Sequence, residues 1–379
     1  MLIQSISETN LDIIGDIHGE ISALENLLGH LGYDEKGNHP ENRTLIFVGD
    51  LVDRGENSWA VYKKVRALME AKVAYCILGN HELNLLIKDK RFQDGRPKIK
   101  AGNEWFHGLI ELVNKDVPSS IQPQFLLRND DERREIQDFL RPLPLVIEAP
   151  GVRIVHSCWN DNAIQMLKED KRDPEVIHDH YENLCVQKIG MEVRKHLSDF
   201  PEDNPNQSST KNWLLSQERS HPLRIFSELT LQNDNPVKVV TSGLEQPLNA
   251  NQNPYMAGKK MRYVQRDRWW TRYMDDEMVI CGHYWRIAPP KSGTVQTFED
   301  KRDIPPTFLQ HEGPFTWLGP KRNVMCIDYS VGKRFLERHH SATIGSTGAF
   351  LAALRYTRSH TGTNTQLVLD DGRIKDIQT

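Results

Sequence analysis

The sequence predicts an α/β fold with a mainly parallel sheet, and three observations carry that expectation. From Leu11 to about residue 88, short apolar runs of strand length alternate with stretches whose apolar residues recur at helical spacing, a βαβαβ pattern. Each of the three apolar runs stops at a glycine followed by a polar residue: Gly15-Asp16, Gly49-Asp50 and Gly79-Asn80. Strand-like runs return after residue 275, so sheet-forming segments frame a more polar middle.

LDIIG is the first strand, and Ile21, Leu24, Leu27, Leu28 and Leu31 make one face of the helix that follows. TLIFVG, a second helical stretch and VAYCILG complete the unit. Beyond a polar stretch at 89–103, helices are expected over 104–114 and 131–140, then strands PLVIE (144–148) and VRIVHS (152–157). Residues 160–275 read as a mainly helical insertion within a single domain of residues 1–379, with the hydrophilic EDNPNQSSTKN at 202–212 as loop. MVICGHYW (278–285), NVMCIDYS (323–330), GAFLAALRY (348–356) and QLVLDDG (366–372) read as closing strands, the last ending in an Asp-Asp-Gly turn.

A formal charge of −4 and a pI near 6.4 give no general pull towards nucleic acid or an anionic membrane, so anion recognition has to come from local clusters. The five cysteines are odd in number, widely spaced and free of CxxC pairs, which suits a reducing compartment. The first residues lack the basic and apolar regions of a secretory signal, and no apolar stretch reaches the ~20 residues that span a bilayer. The expectation is a soluble, cytoplasmic protein with no membrane or nucleic-acid partner.

Six ligand-type side chains stand at strand ends. Asp16 and His18 lie two residues apart, so in extended backbone both point to one face and can grip one ion. Asp50 can bridge two ions, because a carboxylate has two oxygens where an imidazole offers one nitrogen. Asn80 adds an amide oxygen, and His156 and His283, each closing a later strand, add imidazoles. Singly, each is an ordinary turn residue or satisfied polar group; six at five strand ends point to a metal centre. Oxygen and nitrogen ligation without thiolate suits two divalent ions, manganese first, with iron, zinc or nickel as alternatives.

GDIHG (15–19), GDLVDRG (49–55) and LGNHELNLL (78–86), then LPLVIEAPGVRIVHS and CGH (281–283), resemble the phosphoprotein phosphatase branch of the calcineurin-like metallophosphoesterases, in its bacterial, serine/threonine phosphatase-like form. The resemblance covers roughly the first 160 residues and 278–372. It implies a β-sandwich flanked by helices in α/β/β/α layers. It also implies that Asp16 and His18 hold a first metal, Asp50 bridges, and Asn80, His156 and His283 hold the second. Arg54, Asn80 and His81 would bind phosphate, and a hydroxide between the metals would attack phosphorus in line. Catalytic roles fall to Arg54, to His81 as general acid and to Asp53 as its orienting carboxylate. Chemistry agrees: the Arg54 fork matches two phosphate oxygens, and His81 adjoins a ligand and can reach the leaving oxygen. Glu82 fixes the loop in the same family, and Cys158 reads as a packing cysteine.

His156-Ser157-Cys158-Trp159 departs from the Gly-Gly of eukaryotic protein phosphatases and the Ala-Gly of diadenosine tetraphosphate hydrolases. The Ser-Ala-Pro-Asn-Tyr segment of the former is absent, with Tyr329 in a similar place. A second phosphate-binding arginine is sought in KKMRYVQRDRWWTRY (259–273), with Arg262 and Arg268 as candidates; the alternative is tryptophans packed into the core beneath solvated arginines. The leading function is a phosphomonoesterase of the serine/threonine phosphatase type, acting on a phosphopeptide, small phosphoester or nucleotide. Alternatives are a dinucleoside polyphosphate hydrolase, a nuclease and an inactive metal-binding scaffold.

Overall fold

The computed structural model describes residues 1–87, 103–108, 126–127, 129–196, 222–249, 251–257, 260–297, 309, 312–360 and 362–377. The first part of the chain runs β1 (Ile3–Ser5), β2 (Asn10–Ile14), α1 (Ile21–Leu31), β3 (Thr44–Phe47), α2 (Ser58–Glu70), β4 (Ala74–Cys76) and α3 (Asn80–Leu86). α4 (Glu104–His107) and α5 (Asp130–Leu140) precede the hairpin of β5 (Val146–Ala149) and β6 (Val152–Val155). α6 (Asp161–Glu169), α7 (Pro174–His196), α8 (Pro222–Asn233) and α9 (Pro236–Ser242) follow, then the short strands β7 (Glu245–Pro247), β8 (Tyr255–Ala257), β9 (Lys260–Arg262) and β10 (Val264–Arg266). β11 (Met278–Cys281), β12 (Val324–Cys326), α10 (Arg334–His339), β13 (Ala352–Ser359), β14 (Gly362–Leu369) and β15 (Ile374–Asp376) close the chain.

The strands form two principal sheets, ordered β15-β14-β13-β2-β3-β4 and β1-β5-β6-β11-β12. β2, β3 and β4 are parallel, because a helix crosses over between each pair. The expected mainly parallel sheet needs correction: β13, β14 and β15 pair antiparallel, joined by turns too short for a crossover, and β5 pairs antiparallel with β6.

Period-two alternation sorts each strand between two cores. Leu11 and Ile13 of β2 pack with Ile147, Ile154, Ile280 and Met325 in the space between the sheets. Ile14, Phe47 and Cys76 face outward onto Leu24, Leu27, Val61 and Val65 of α1 and α2, while Val155, Val279 and Cys281 meet Val237 and Val240 of α9. Burial of each such aliphatic side chain is worth about 1.5–3 kcal/mol, so the pattern specifies an α/β/β/α stack. Asp12 is the exception among the outward residues of β2; its buried carboxylate accepts from Tyr33, Arg43 and Arg355.

The polar middle is mostly helical as read, but β7 to β10 were not expected there. Residues 202–212, and all of the 104–114 helix beyond Gly108, lie outside the described residues. All five cysteines are buried free thiols. Among the described residues no helix is long and apolar enough to cross a membrane.

Candidate metal and phosphate site

Strand ends deliver the site residues to one edge of the sandwich. Asp16 and His18 follow β2, Asp50, Asp53 and Arg54 follow β3, Asn80 and His81 open α3 after β4, His156 follows β6, and His283 follows β11. Five of the ten non-glycine residues with positive φ among those described are site residues: His18, Asp50, Asp53, Arg54 and His283. Left-handed backbone is costly for such side chains and persists where the surroundings over-determine it.

Two glycines show what over-determines it. A Cβ on Gly79 would lie 2.3 Å from the Asp50 Oδ1, and one on Gly282 would lie 2.0 Å from the Asp16 Oδ1. The Gly-Asn and Gly-His pairs of the sequence are thus the backbone's means of lying against a carboxylate. Glu82 locks the same region: its buried carboxylate accepts from the backbone N–H groups of Asp50 (2.7 Å), Leu51 (2.8 Å) and Gly79 (3.0 Å). Burial and the nearby Asp50 charge push the Glu82 carboxyl up to about 7. Glu82→Ala strands these donors in the interior and is expected to cost about 3 kcal/mol or more, read as a lowered urea midpoint. An unchanged midpoint would contradict the locking role.

Asp50 sits between two clusters. Its Oδ2 lies 3.7 Å from the His18 Nε2, and Oδ1 lies 3.3 Å from the His156 Nε2. The Asp16 Oδ2 is 3.9 Å from the His18 Nε2 on one side. On the other, the Asn80 Oδ1 is 3.2 Å from the His156 Nε2 and 2.9 Å from the His283 Nδ1. Donor atoms of Asp50, His156 and His283 lie within 4.8 Å of one another, and so do those of His18, Asp50 and His81. His81 therefore stands as close to the first cluster as its neighbours do.

The donor set fits divalent ions. The His18 Nδ1 lies 3.1 Å from the Val52 carbonyl and the His156 Nδ1 2.7 Å from the Val48 carbonyl. A carbonyl only accepts, so each Nδ1 carries the proton and each Nε2 turns a lone pair into the site. Burial, and then the charges of Asp328 and Asp50, hold the Asp16 carboxyl well above its usual range. Burial opposes a second proton on His156, but the Asp50 carboxylate, the Val48 carbonyl and the Glu82 charge together more than offset it and raise the imidazole. The Asp328 Oδ2 is buried with no hydrogen-bond partner. Crowded carboxylates, inward lone pairs and an orphaned oxygen are what bound cations relieve.

Beside the clusters lies a second arrangement. The His81 Nδ1 is 2.5 Å from the Asp53 Oδ2, and Asp53 also accepts from the Asn103 Nδ2 (2.8 Å) and the Trp105 Nε1 (2.6 Å). These bonds fix the carboxylate, which fixes the imidazole. Arg54 reaches the His18 Nε2 (2.9 Å) with Nη1 and the His81 Nε2 (3.1 Å) with Nη2, spanning the mouth between metal cluster and imidazole.

All nine residues expected at the site thus meet at one edge, while the search for a second arginine is corrected. Arg262 is paired with Glu245, and Arg268 with Glu312 at 3.6 Å, whereas Arg266 reaches the His283 carbonyl at 3.0 Å and lies over the Tyr284 ring. Trp269 and Trp270 are buried, as the packing alternative required, and Lys259 lies outside the described residues. Tyr329 turns away, donating to the Pro314 carbonyl at 2.6 Å. Asp328, Asn103, Trp105 and Arg266 were missed. Asp328 had a usable signal, a polar residue closing an apolar run in CID, like Asp16 and Asp50.

The sequence model of the family described as calcineurin-like phosphoesterase matches residues 9–284. A bis(5'-nucleosyl)-tetraphosphatase PrpE of Oceanobacillus iheyensis is 35% identical over 145 residues, which are 38% of this chain and 56% of that protein. Its namesake in Halalkalibacterium halodurans is 47% identical over 118 residues, 30% of this chain and 46% of that protein. The chain spans about half the length of the curated relatives it matches. Among solved structures, a cold-active protein-tyrosine phosphatase of a psychrophilic Shewanella aligns with 100% of this chain and 82% of its own, at 13% identity and a TM-score of 0.43. With the family match running from before the first strand-end aspartate to beyond His283, the chain belongs to the calcineurin-like phosphoesterases.

Proposed function

We propose that this protein is a two-metal-dependent phosphoester hydrolase, a phosphomonoesterase of the serine/threonine phosphatase type. The observation that carries the reading is Asp50 facing one cluster with each oxygen while Arg54 spans from that centre to a carboxylate-held imidazole. Asp16, His18 and Asp50 would hold one ion; Asp50, Asn80, His156 and His283 would hold the other. Manganese leads for this donor set, with iron, zinc or nickel as alternatives. Bound there, the ions supply Lewis acidity and an activated water.

The chain's own residues do the rest. A substrate phosphate takes the Arg54 donors that now point at His18 and His81, and Asn80 and His81 complete its cradle. Relieved of Arg54, the His81 Nε2 is open to take up a proton from water and, as an imidazolium held by Asp53 through Nδ1, passes it to the leaving oxygen, while Asp53 keeps the ring oriented and stabilises its charge. Arg266, beside His283, supplies a further positive charge at the rim. Residues 160–275 are read as an insertion in one domain of residues 1–379, and the protein as cytoplasmic.

A second reading, hydrolysis of dinucleoside polyphosphates, is favoured by the names of the relatives, bis(5'-nucleosyl)-tetraphosphatases. The test is turnover of a phosphoserine peptide, p-nitrophenyl phosphate and diadenosine tetraphosphate, with manganese and with excess chelator. Monoester turnover that chelator abolishes is the expected result. Turnover of the anhydride alone would replace the first reading by the second; two tightly bound ions with no turnover would leave a scaffold.

A further inference from the structure

We propose that Asp328 is a further acidic residue of the first metal subsite, its free carboxylate oxygen serving the ion held by Asp16, His18 and Asp50. The inference deepens the two-metal reading above and rests on it. Asp328 stands two residues past the end of β12, as Asp16 stands two residues past the end of β2, and its side chain is fully buried. The Oδ1 accepts from the Ser330 N–H at 2.8 Å, a local turn that fixes the carboxylate, while the Oδ2 has no hydrogen-bond partner. Arg54 does not answer that oxygen, because its donors reach His18 and His81.

The chain on either side of Asp328 is packed on the first pair of ligands. A Cβ on Gly15, the residue before Asp16, would lie 2.3 Å from the Ile327 carbonyl oxygen. Four residues beyond Asp328, a Cβ on Gly332 would sit 3.0 Å from the His18 side chain and 3.1 Å from the Arg54 Cδ. Asp328 is thus carried between backbone that lies against the Asp16 loop and backbone that lies against His18. Its own position is pinned as well: the Asp328 carbonyl accepts from the Arg286 N–H at 2.9 Å, and the Ser330 hydroxyl donates to the Arg286 carbonyl at 2.7 Å. Burial first, and then the Asp328 charge ahead of that of Asp50, raises the Asp16 carboxyl, which agrees with this placement.

The chemistry of the two subsites differs in a way that Asp328 redresses. The first ion has three protein donors and the second has four, so more of the first ion's octahedral shell is left to water. Water beside a divalent cation is a strong donor, and a buried carboxylate oxygen with nothing to accept from is the acceptor placed for it. Partners of this kind orient a coordination shell and add negative charge to it, which raises affinity for the cation.

The experiment is equilibrium dialysis of the full chain against manganese, in wild type and Asp328→Asn, beside urea unfolding of both in excess chelator. Asparagine keeps an oxygen for the Ser330 N–H and replaces the Oδ2 by an NH2. One of the two binding steps is expected to weaken by about 10–100-fold. The metal-free midpoint should stay in place or rise, because a crowded buried charge is gone. A residue that only packs gives unchanged binding steps or a lowered metal-free midpoint, and either result overturns the assignment. Combined with His283→Ala, which weakens the second ion, Asp328→Asn is expected to leave neither ion tightly held. A double variant that binds one ion as tightly as His283→Ala alone would place Asp328 with the second ion and overturn the assignment. Fewer than two ions in wild type overturns this inference and the two-metal reading together, whereas two bound ions without turnover of any phosphoester contradict the hydrolase reading alone.

Discussion

Asp50→Asn is expected to release both metal ions and to lower kcat/KM by about 10³-fold or more, since the centre loses several kcal/mol of charge stabilisation at once. The substitution keeps the shape, so the effect reports chemistry. In the native chain one oxygen faces the His18 side and the other the His156 side, and Oδ1 also accepts from the His81 backbone N–H at 3.0 Å. An amide has one oxygen and one NH2, so one of the two clusters meets a donor where it needs a ligand. Asp16 would be the one carboxylate left among the six ligands, and burial, followed by the charges of Asp328 and Asp50, already holds it well above its usual range. Metal content by elemental analysis and rates on p-nitrophenyl phosphate check the pair of outcomes; full metal content in the variant would remove Asp50 from the bridging position.

His81→Asn separates proton donation from metal binding. It is expected to keep both ions and to lower kcat by about 10²–10⁴-fold on an alkyl phosphoester, the usual range for loss of a general acid. The loss should be much smaller on p-nitrophenyl phosphate, whose leaving oxygen departs as a stable anion and needs no proton. Equal losses on phosphoserine peptide and p-nitrophenyl phosphate would mean that His81 acts only by binding. Asp53, Asn103 and Trp105 stand behind this prediction, because Asp53, itself held by Asn103 and Trp105, contacts the His81 Nδ1 and leaves the Nε2 on the Arg54 side.

The first three strands that carry the site were readable because each joins two local signals, an apolar run and a glycine with a polar residue at its end. β2, β3 and β4 with their helices follow from that pattern, and Asp16, Asp50 and Asn80 come with them. What was not readable depends on pairing across long stretches of chain. β1 lies parallel to β5 through Ile3 and Val146, and β13 lies antiparallel to β2 through Leu354 and Ile13; nothing local in either segment encodes its partner. The residues missed at the site share this origin. Arg266, Arg262 and Arg268 look alike in a basic, aromatic segment, and only the turn of β10 towards His283 singles out the first. Asn103 and Trp105 sit beyond a polar stretch whose path to Asp53 has no sequence signature.

Equilibrium dialysis of the chelator-treated protein against manganese tests the central claim most directly. Two ions per wild-type chain are predicted, falling below one in Asp50→Asn while His81→Asn keeps two. One ion or none per wild-type chain, or two retained in Asp50→Asn, would contradict a paired centre bridged by Asp50.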